Sequence, residues 1–185
     1  MGEQRKKHNR REHLNDFHLN VAGEYVYDGA LYACQNDDAK QRRSKRAVWG
    51  MAAILTVAVA AGGCIPAPGM QNCFYVLLPY LGEFLGAASV IWALAKLGMD
   101  WGTVREYNYK KSVAVLPVRT AVTAVFSLLG IVCELIFFFV NDHAGQTFFA
   151  LLYVLLKLTA LLSALVLRAE IMQAEWDKLP KKNNS

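Results

Sequence analysis

Apolar residues are grouped into four long stretches along this chain, and polar residues fill the intervals between them. The stretches cover residues 47–65, 74–97, 114–140 and 146–168. Their lengths match the roughly 20 apolar residues that an α-helix needs to cross the hydrocarbon core of a bilayer. They are apolar on all sides, whereas a helix of a soluble bundle keeps one polar face. The pattern therefore predicts four transmembrane helices, because backbone groups in lipid must be hydrogen-bonded within the protein.

The polar ends divide the chain into three parts. Residues 1–46 form a basic and partly amphipathic amino-terminal arm that contains no apolar signal-peptide core. Residues 47–168 form an all-α transmembrane domain, a compact four-helix bundle. Residues 169–185 are predicted to continue the last helix and then end in a polar tail, with Trp176 lying either on lipid headgroups or against the amino-terminal arm.

Within the arm, Asp28 is a candidate N-cap for a short helix that begins near Gly29. Three histidines, His8, His13 and His18, follow one another at five-residue steps, which places them on different faces of a helix. No Cys and His residues have the spacing of a metal site. The sequence therefore predicts no metal and no other cofactor.

Positive charge predicts the orientation in the membrane. Ten of the 20 Lys and Arg residues lie in residues 1–46, while the connections at 66–72 and 141–145 contain none. Because Lys and Arg are enriched on the cytoplasmic side, both termini are predicted to be cytoplasmic, in a plasma or inner membrane. Candidate anchors for anionic lipid headgroups precede the first stretch: Lys40, Arg42, Arg43, Lys45 and Arg46. The net charge of +5 is thus assigned to the membrane flanks, and no nucleic-acid partner is predicted.

Four ionisable residues interrupt the apolar stretches: Glu83, Arg119, Glu134 and Lys157. Ionisable groups are costly in lipid and usually face the protein interior. From a helical rise of about 1.5 Å per residue, Glu83 and Lys157 lie about 15 and 16 Å from the outer ends of their helices, and Glu134 lies about 9 Å from its own. We predict that Lys157 pairs with Glu83 near the middle of the membrane, with Glu134 further out and Arg119 near the cytoplasmic edge.

Small and polar residues recur at helical spacing within the same stretches. Thr123, Ser127 and Tyr153 are predicted to join the charged residues in one polar cluster. Small side chains let helices approach closely in lipid, so the remaining positions are predicted to lie at helix contacts: Gly82, Gly86, Ser89, Gly130, Ala53 and Ala60. The first two and the last two helices are expected to form tight hairpins.

Two cysteines, Cys64 and Cys73, flank the short connection between the first two stretches. One interpretation is a disulfide that closes this hairpin, which requires an oxidising outer compartment. The other is a pair of reduced thiols near the helix ends. The chain has no C-x-x-C pair, so thiol-disulfide exchange of that type is not predicted.

Two classes of function are favoured over enzyme activity, and the first is preferred to the second. The first is a structural or accessory subunit of a membrane complex, with other membrane-protein subunits or a second copy of the chain as partners, and with a partner's cation completing the unmatched carboxylate. The alternative is an oligomeric transporter or channel for a small solute, a cation or protons, acting through Glu83, Lys157 and Glu134. Enzyme activity is the least favoured, since no catalytic motif is visible.

Overall fold

The computed structural model describes residues 17–19, 25–27, 29–35, 37–98, 101–141 and 146–179. The elements follow in this order: β1 (Phe17–Leu19), β2 (Tyr25–Tyr27), β3 (Leu31–Cys34), α1 (Asp38–Cys64), α2 (Pro68–Asn72), α3 (Phe74–Leu97), β4 (Thr103–Arg105), α4 (Glu106–Lys111), α5 (Leu116–Val140), α6 (Thr147–Met172) and β5 (Trp176–Lys178).

Four helical segments are long and apolar enough to cross a membrane: α1, α3, α6 and the segment Glu106–Val140, which contains α5. The prediction of an all-α bundle with four such helices is confirmed. Helix α3 has the predicted bounds, whereas α1 begins at Asp38 rather than at residue 47. The basic block before residue 47 is helical because Lys, Arg and Gln are good helix formers.

The helices pack in a ring whose order differs from the order along the chain. Helix α3 packs mainly on α5, α5 on α6 and α6 on α1, while the contact between α1 and α3 is much smaller. The prediction that the first two helices form a tight hairpin is therefore wrong. The bulky ring of Tyr80 on α3 lies against Gly63 of α1, so this contact is not made by two small faces.

The buried face of α1 also differs from the predicted one. Ala53 and Ala60 are exposed on the surface of the bundle, so their assignment to helix contacts is wrong. The buried residues of α1 are Ser44, Val48, Ala52, Leu55, Ala58, Val59 and Gly62. Both sets repeat at helical spacing, and the contact with α6 decides which of the two faces is buried.

A three-stranded antiparallel sheet lies at the end of the bundle where α1 begins and α6 ends. Strand β3 is central, and its Tyr32 is paired with Val104 on β4 and with Lys178 on β5. Two predictions fail here, because residues 31–34 form a strand rather than a helix near Gly29, and the last helix ends at Met172. Both strands depend on partners distant in the chain, which local helix signals cannot reveal.

Aromatic rings attach this sheet to the bundle. The rings of Tyr32 and Tyr109 are stacked with their centroids 4.2 Å apart. The ring of Trp176 lies 5.9 Å from that of Tyr109 and 6.2 Å from that of Trp101. Trp101 is buried among the apolar residues at the ends of the long helices. Of the two predicted surroundings of Trp176, the structure shows contact with the amino-terminal arm, since Trp176 pairs with Cys34.

A second, two-stranded sheet is formed by β1 and β2, which are antiparallel with Phe17 opposite Tyr27. His8, His13 and Asp28 lie outside the described residues, as does the side chain of His18.

We predict that Tyr109→Ala destabilises the protein, because it removes the ring that stacks on Tyr32 and contacts Trp176. Loss of these aromatic contacts is expected to lower the free energy of unfolding by about 1–3 kcal/mol. The measurement is the midpoint of thermal unfolding in detergent, which should decrease. Tyr107→Ala, on the exposed side of the same short helix, serves as the matched control and is expected to have a smaller effect. Equal effects of the two substitutions would contradict this role of the aromatic cluster.

Candidate polar site inside the bundle

The polar centre of the bundle lies where α3, α5 and α6 meet. Glu83 and Ser127 are 0% exposed and Lys157 is 2% exposed. The Lys157 Nζ atom forms an ion pair with Glu83 Oε2. Ser127 Oγ donates a hydrogen bond to the other carboxylate oxygen, Glu83 Oε1, at 2.6 Å. Three residues that were singled out in the sequence are thus brought together, and each oxygen of Glu83 has a partner.

Two aromatic rings flank the ammonium group. The Lys157 Nζ atom lies 4.5 Å from the ring centroid of Tyr80 and 5.0 Å from that of Tyr153. Such contacts attract a cation toward the face of the ring. A Cβ atom at Gly130 would lie 3.5 Å from Lys157 Cε, an ordinary packing distance, so the lysine stem lies beside this residue without requiring a glycine there. Tyr80 was missed in the sequence, although its position three residues before Glu83 places both on one helix face.

Close packing of α3 on α5 brings Glu83 within reach of Ser127. A Cβ atom at Gly86 would lie 2.6 Å from Thr123 Oγ1 and 3.3 Å from Thr123 Cα, closer than real contacts allow. The ring of Phe126 fills the corresponding space beside Gly82. These glycines act as the packing residues predicted for small side chains in lipid.

Hydroxyl groups on α5 lie within hydrogen-bonding distance of carbonyl groups one turn earlier in the same helix. The Thr123 hydroxyl donates to the carbonyl of Arg119 at 2.9 Å, and the Ser127 hydroxyl also lies 3.1 Å from the carbonyl of Thr123. Thr and Ser side chains often bond the preceding turn in this way. Only Ser127 therefore reaches across to a charged group.

Arg119 is held apart from the charge pair. Its guanidinium donates a hydrogen bond to the backbone carbonyl of Ser89 at 2.6 Å, and the Ser89 hydroxyl donates to the carbonyl of Gly86. Within the described ranges, neither Glu83 nor Glu134 is ion-paired with Arg119. Arg119 thus links α5 to α3 near the sheet end of the bundle, and it does not neutralise either intramembrane carboxylate.

Glu134 lies in a different environment from Glu83. It is 0% exposed, and no side chain among the described residues donates a hydrogen bond to its oxygens; the polar group nearest to them is the backbone N–H of Gly69. The hydroxyl of the fully buried Tyr153 has no hydrogen-bond partner among the described residues. The carboxylate lies directly against Gly69 of α2, where a Cβ atom would overlap Glu134 Oε2. The sequence analysis predicted a connection without a helix at this place. Pro68 at the first helical position is, however, a recognised signal for the start of a helix.

The other predicted residues lie at the two ends of the bundle. Cys64 is exposed and Cys73 is partly buried; both are free thiols in the structure, and the disulfide between them stays a prediction. The basic residues Lys40, Arg42, Arg43 and Arg46 are exposed or partly exposed on the first turns of α1. Ser44, within the same block, is buried and donates to Glu170 Oε2 at 2.9 Å, which ties α1 to α6.

Comparison with models of known protein families, with characterised proteins and with solved structures finds no match to this chain. The function must therefore be argued from the bundle and its polar groups.

We predict that Lys157→Leu lowers the stability by about 3–5 kcal/mol, because it leaves the buried carboxylate of Glu83 without its cation. The double substitution Lys157→Leu with Glu83→Leu is expected to recover much of that loss, since no unpaired charge then remains. Thermal unfolding of the purified variants in detergent measures both effects. Wild-type stability in the single variant would refute a stabilising role of the pair.

Proposed function

We propose that this protein is a structural or accessory subunit of a membrane complex. The proposal rests on the central charge pair. Glu83 and Lys157 are buried, and each oxygen of Glu83 already has a partner within the bundle. A charge pair of this kind favours one arrangement of helices over others, which suits a rigid anchor. A pathway for solutes would instead need polar groups that reach water.

The surface of the bundle supports the same function. Large apolar side chains cover the outer faces of all four long helices. A groove of about 430 Å³ on this surface is lined by α5 residues from Pro117 to Phe126 and by Arg168 of α6, and it shares no lining residue with the charge pair. Lipid tails or the helices of another subunit would fill such a surface.

Strand β5 offers a place for a partner to dock at the sheet end. Two hydrogen bonds flank its pairing with β3, from Gln35 N to Glu175 O and from Leu179 N to Leu31 O. In this antiparallel register Asp177 faces β3, so the backbone N–H of Lys178 points to the outer edge. No other described strand pairs with that edge. An extended segment of a partner can add a strand at such an edge.

We predict that Lys178→Pro reduces the recovery of a stoichiometric membrane partner extracted in mild detergent. Proline removes the outward N–H and keeps the bonds that join β5 to β3, so the thermal stability is expected to change little. Lys178→Ala is the matched control and should retain the partner. Equal recovery with both variants, or the absence of any fixed partner from the native membrane extract, would count against the proposal.

A second function, transport of protons or of a small cation, is favoured by one specific observation. Glu134 and Tyr153 place unsatisfied polar atoms inside the bundle, close to the charge pair. Intramembrane carboxylates are frequent components of proton and ion pathways.

Flux measurements on the purified protein in vesicles distinguish the two functions. If the chain is a transporter, proton-linked or cation flux is expected and is lost in both Glu83→Gln and Glu134→Gln. The subunit function predicts no flux above that of empty vesicles for the wild type or either variant. Flux that both substitutions abolish would therefore replace the subunit function with the transport function.

A further inference from the structure

The ionisable side chains inside the bundle do not balance in charge. Among the described residues, two carboxyl groups, Glu83 and Glu134, share the interior with one ammonium group, Lys157. The ammonium group is already paired with Glu83. Arg119 is bonded to the carbonyl of Ser89 and partners neither acid. If every group were ionised, this interior would carry one uncompensated negative charge at Glu134.

An uncompensated carboxylate is the least stable state available to Glu134. The group is fully buried, and among the described residues the backbone N–H of Gly69 is the one donor directed at it, which does not replace the hydration lost on burial. Transfer of an unpaired ionised group into such surroundings is so costly that the group normally becomes neutral instead. Addition of one proton removes the excess charge without any change in the packing of the helices.

No cation among the described residues forms an ion pair with Glu134. Helix α2, which contacts the carboxyl group through Gly69, contains no titratable residue. On the other sides, Tyr75 of α3 and Tyr153 of α6 interact electrostatically with Glu134, and Cys133 precedes it on α5. Among the described residues Lys157 is the one cation buried in the bundle, and it is already paired with Glu83.

We propose that Glu134 is a proton-binding site, which carries its proton in this closed conformation and exchanges it when α2 moves away from the carboxyl group. In the exchange step the O–H bond of Glu134 breaks, the proton passes to a water molecule that enters beneath α2, and a carboxylate remains. Tyr153 is the neighbouring hydroxyl able to bond either form, because a hydroxyl both donates and accepts. The inference goes beyond the proposed subunit function and requires no solute transport.

Infrared spectroscopy of the protein in lipid vesicles tests the proposal. The wild type should show the C=O stretching band of a protonated carboxyl group at neutral pH, and Glu134→Gln should lose that band. Glu106→Gln, which removes a carboxylate paired with Lys110 outside the bundle, should keep it. Absence of the band from the wild type, or its persistence in Glu134→Gln, would overturn the proposal. Absence of the band together with stabilisation by added sodium ions would instead show a bound metal cation, and would equally overturn it.

The role of α2 has its own test, based on the rate at which the band shifts after transfer to D₂O. In Gly69→Ala the new methyl group overlaps Glu134 Oε2, so α2 and the carboxyl group must separate and exchange should be severalfold faster. Gly62→Ala is the matched control, because a Cβ atom there meets no other atom within 4 Å. Equal exchange rates in the two variants would exclude α2 as the gate, whatever the protonation state of Glu134.

Discussion

The contact between Glu83 and Lys157 is the interaction on which the arrangement of α3, α5 and α6 depends. Neither charge is stable alone in surroundings without water, so the helices that carry them must meet at one level and in one rotation. Ser127 supplies the remaining hydrogen bond, and the rings of Tyr80 and Tyr153 flank the ammonium group. The pair therefore selects one packing among the many that four apolar helices could adopt.

Small residues make this contact possible. Gly86 lets α3 approach Thr123 on α5, and the ring of Phe126 fills the space beside Gly82. In lipid there is no hydrophobic force that drives helices together, so close packing and polar contacts carry the association. The smaller contact between α1 and α3 fits this view, because Tyr80 rather than two glycines fills the space beside Gly63.

The two ends of the bundle differ in construction. One end carries a sheet made from three distant segments of the chain and held by a cluster of Tyr and Trp rings. The other end is closed by the short helix α2, whose Gly69 lies against the buried carboxyl group of Glu134. The proposed docking edge and the proposed proton-binding group thus lie in separate regions, so the two proposals do not exclude each other.

The sequence by itself determined the four long helices, the bounds of α3 and the identity of the buried charged residues. These follow from run length, from the cost of charge in lipid and from a fixed rise per residue, all of which are local. Only the tertiary structure decided the ring order of the helices, the buried face of α1 and the strands at residues 31–34 and 176–178. The isolation of Glu134 beneath α2 was decided in the same way, because it depends on segments that meet only after folding.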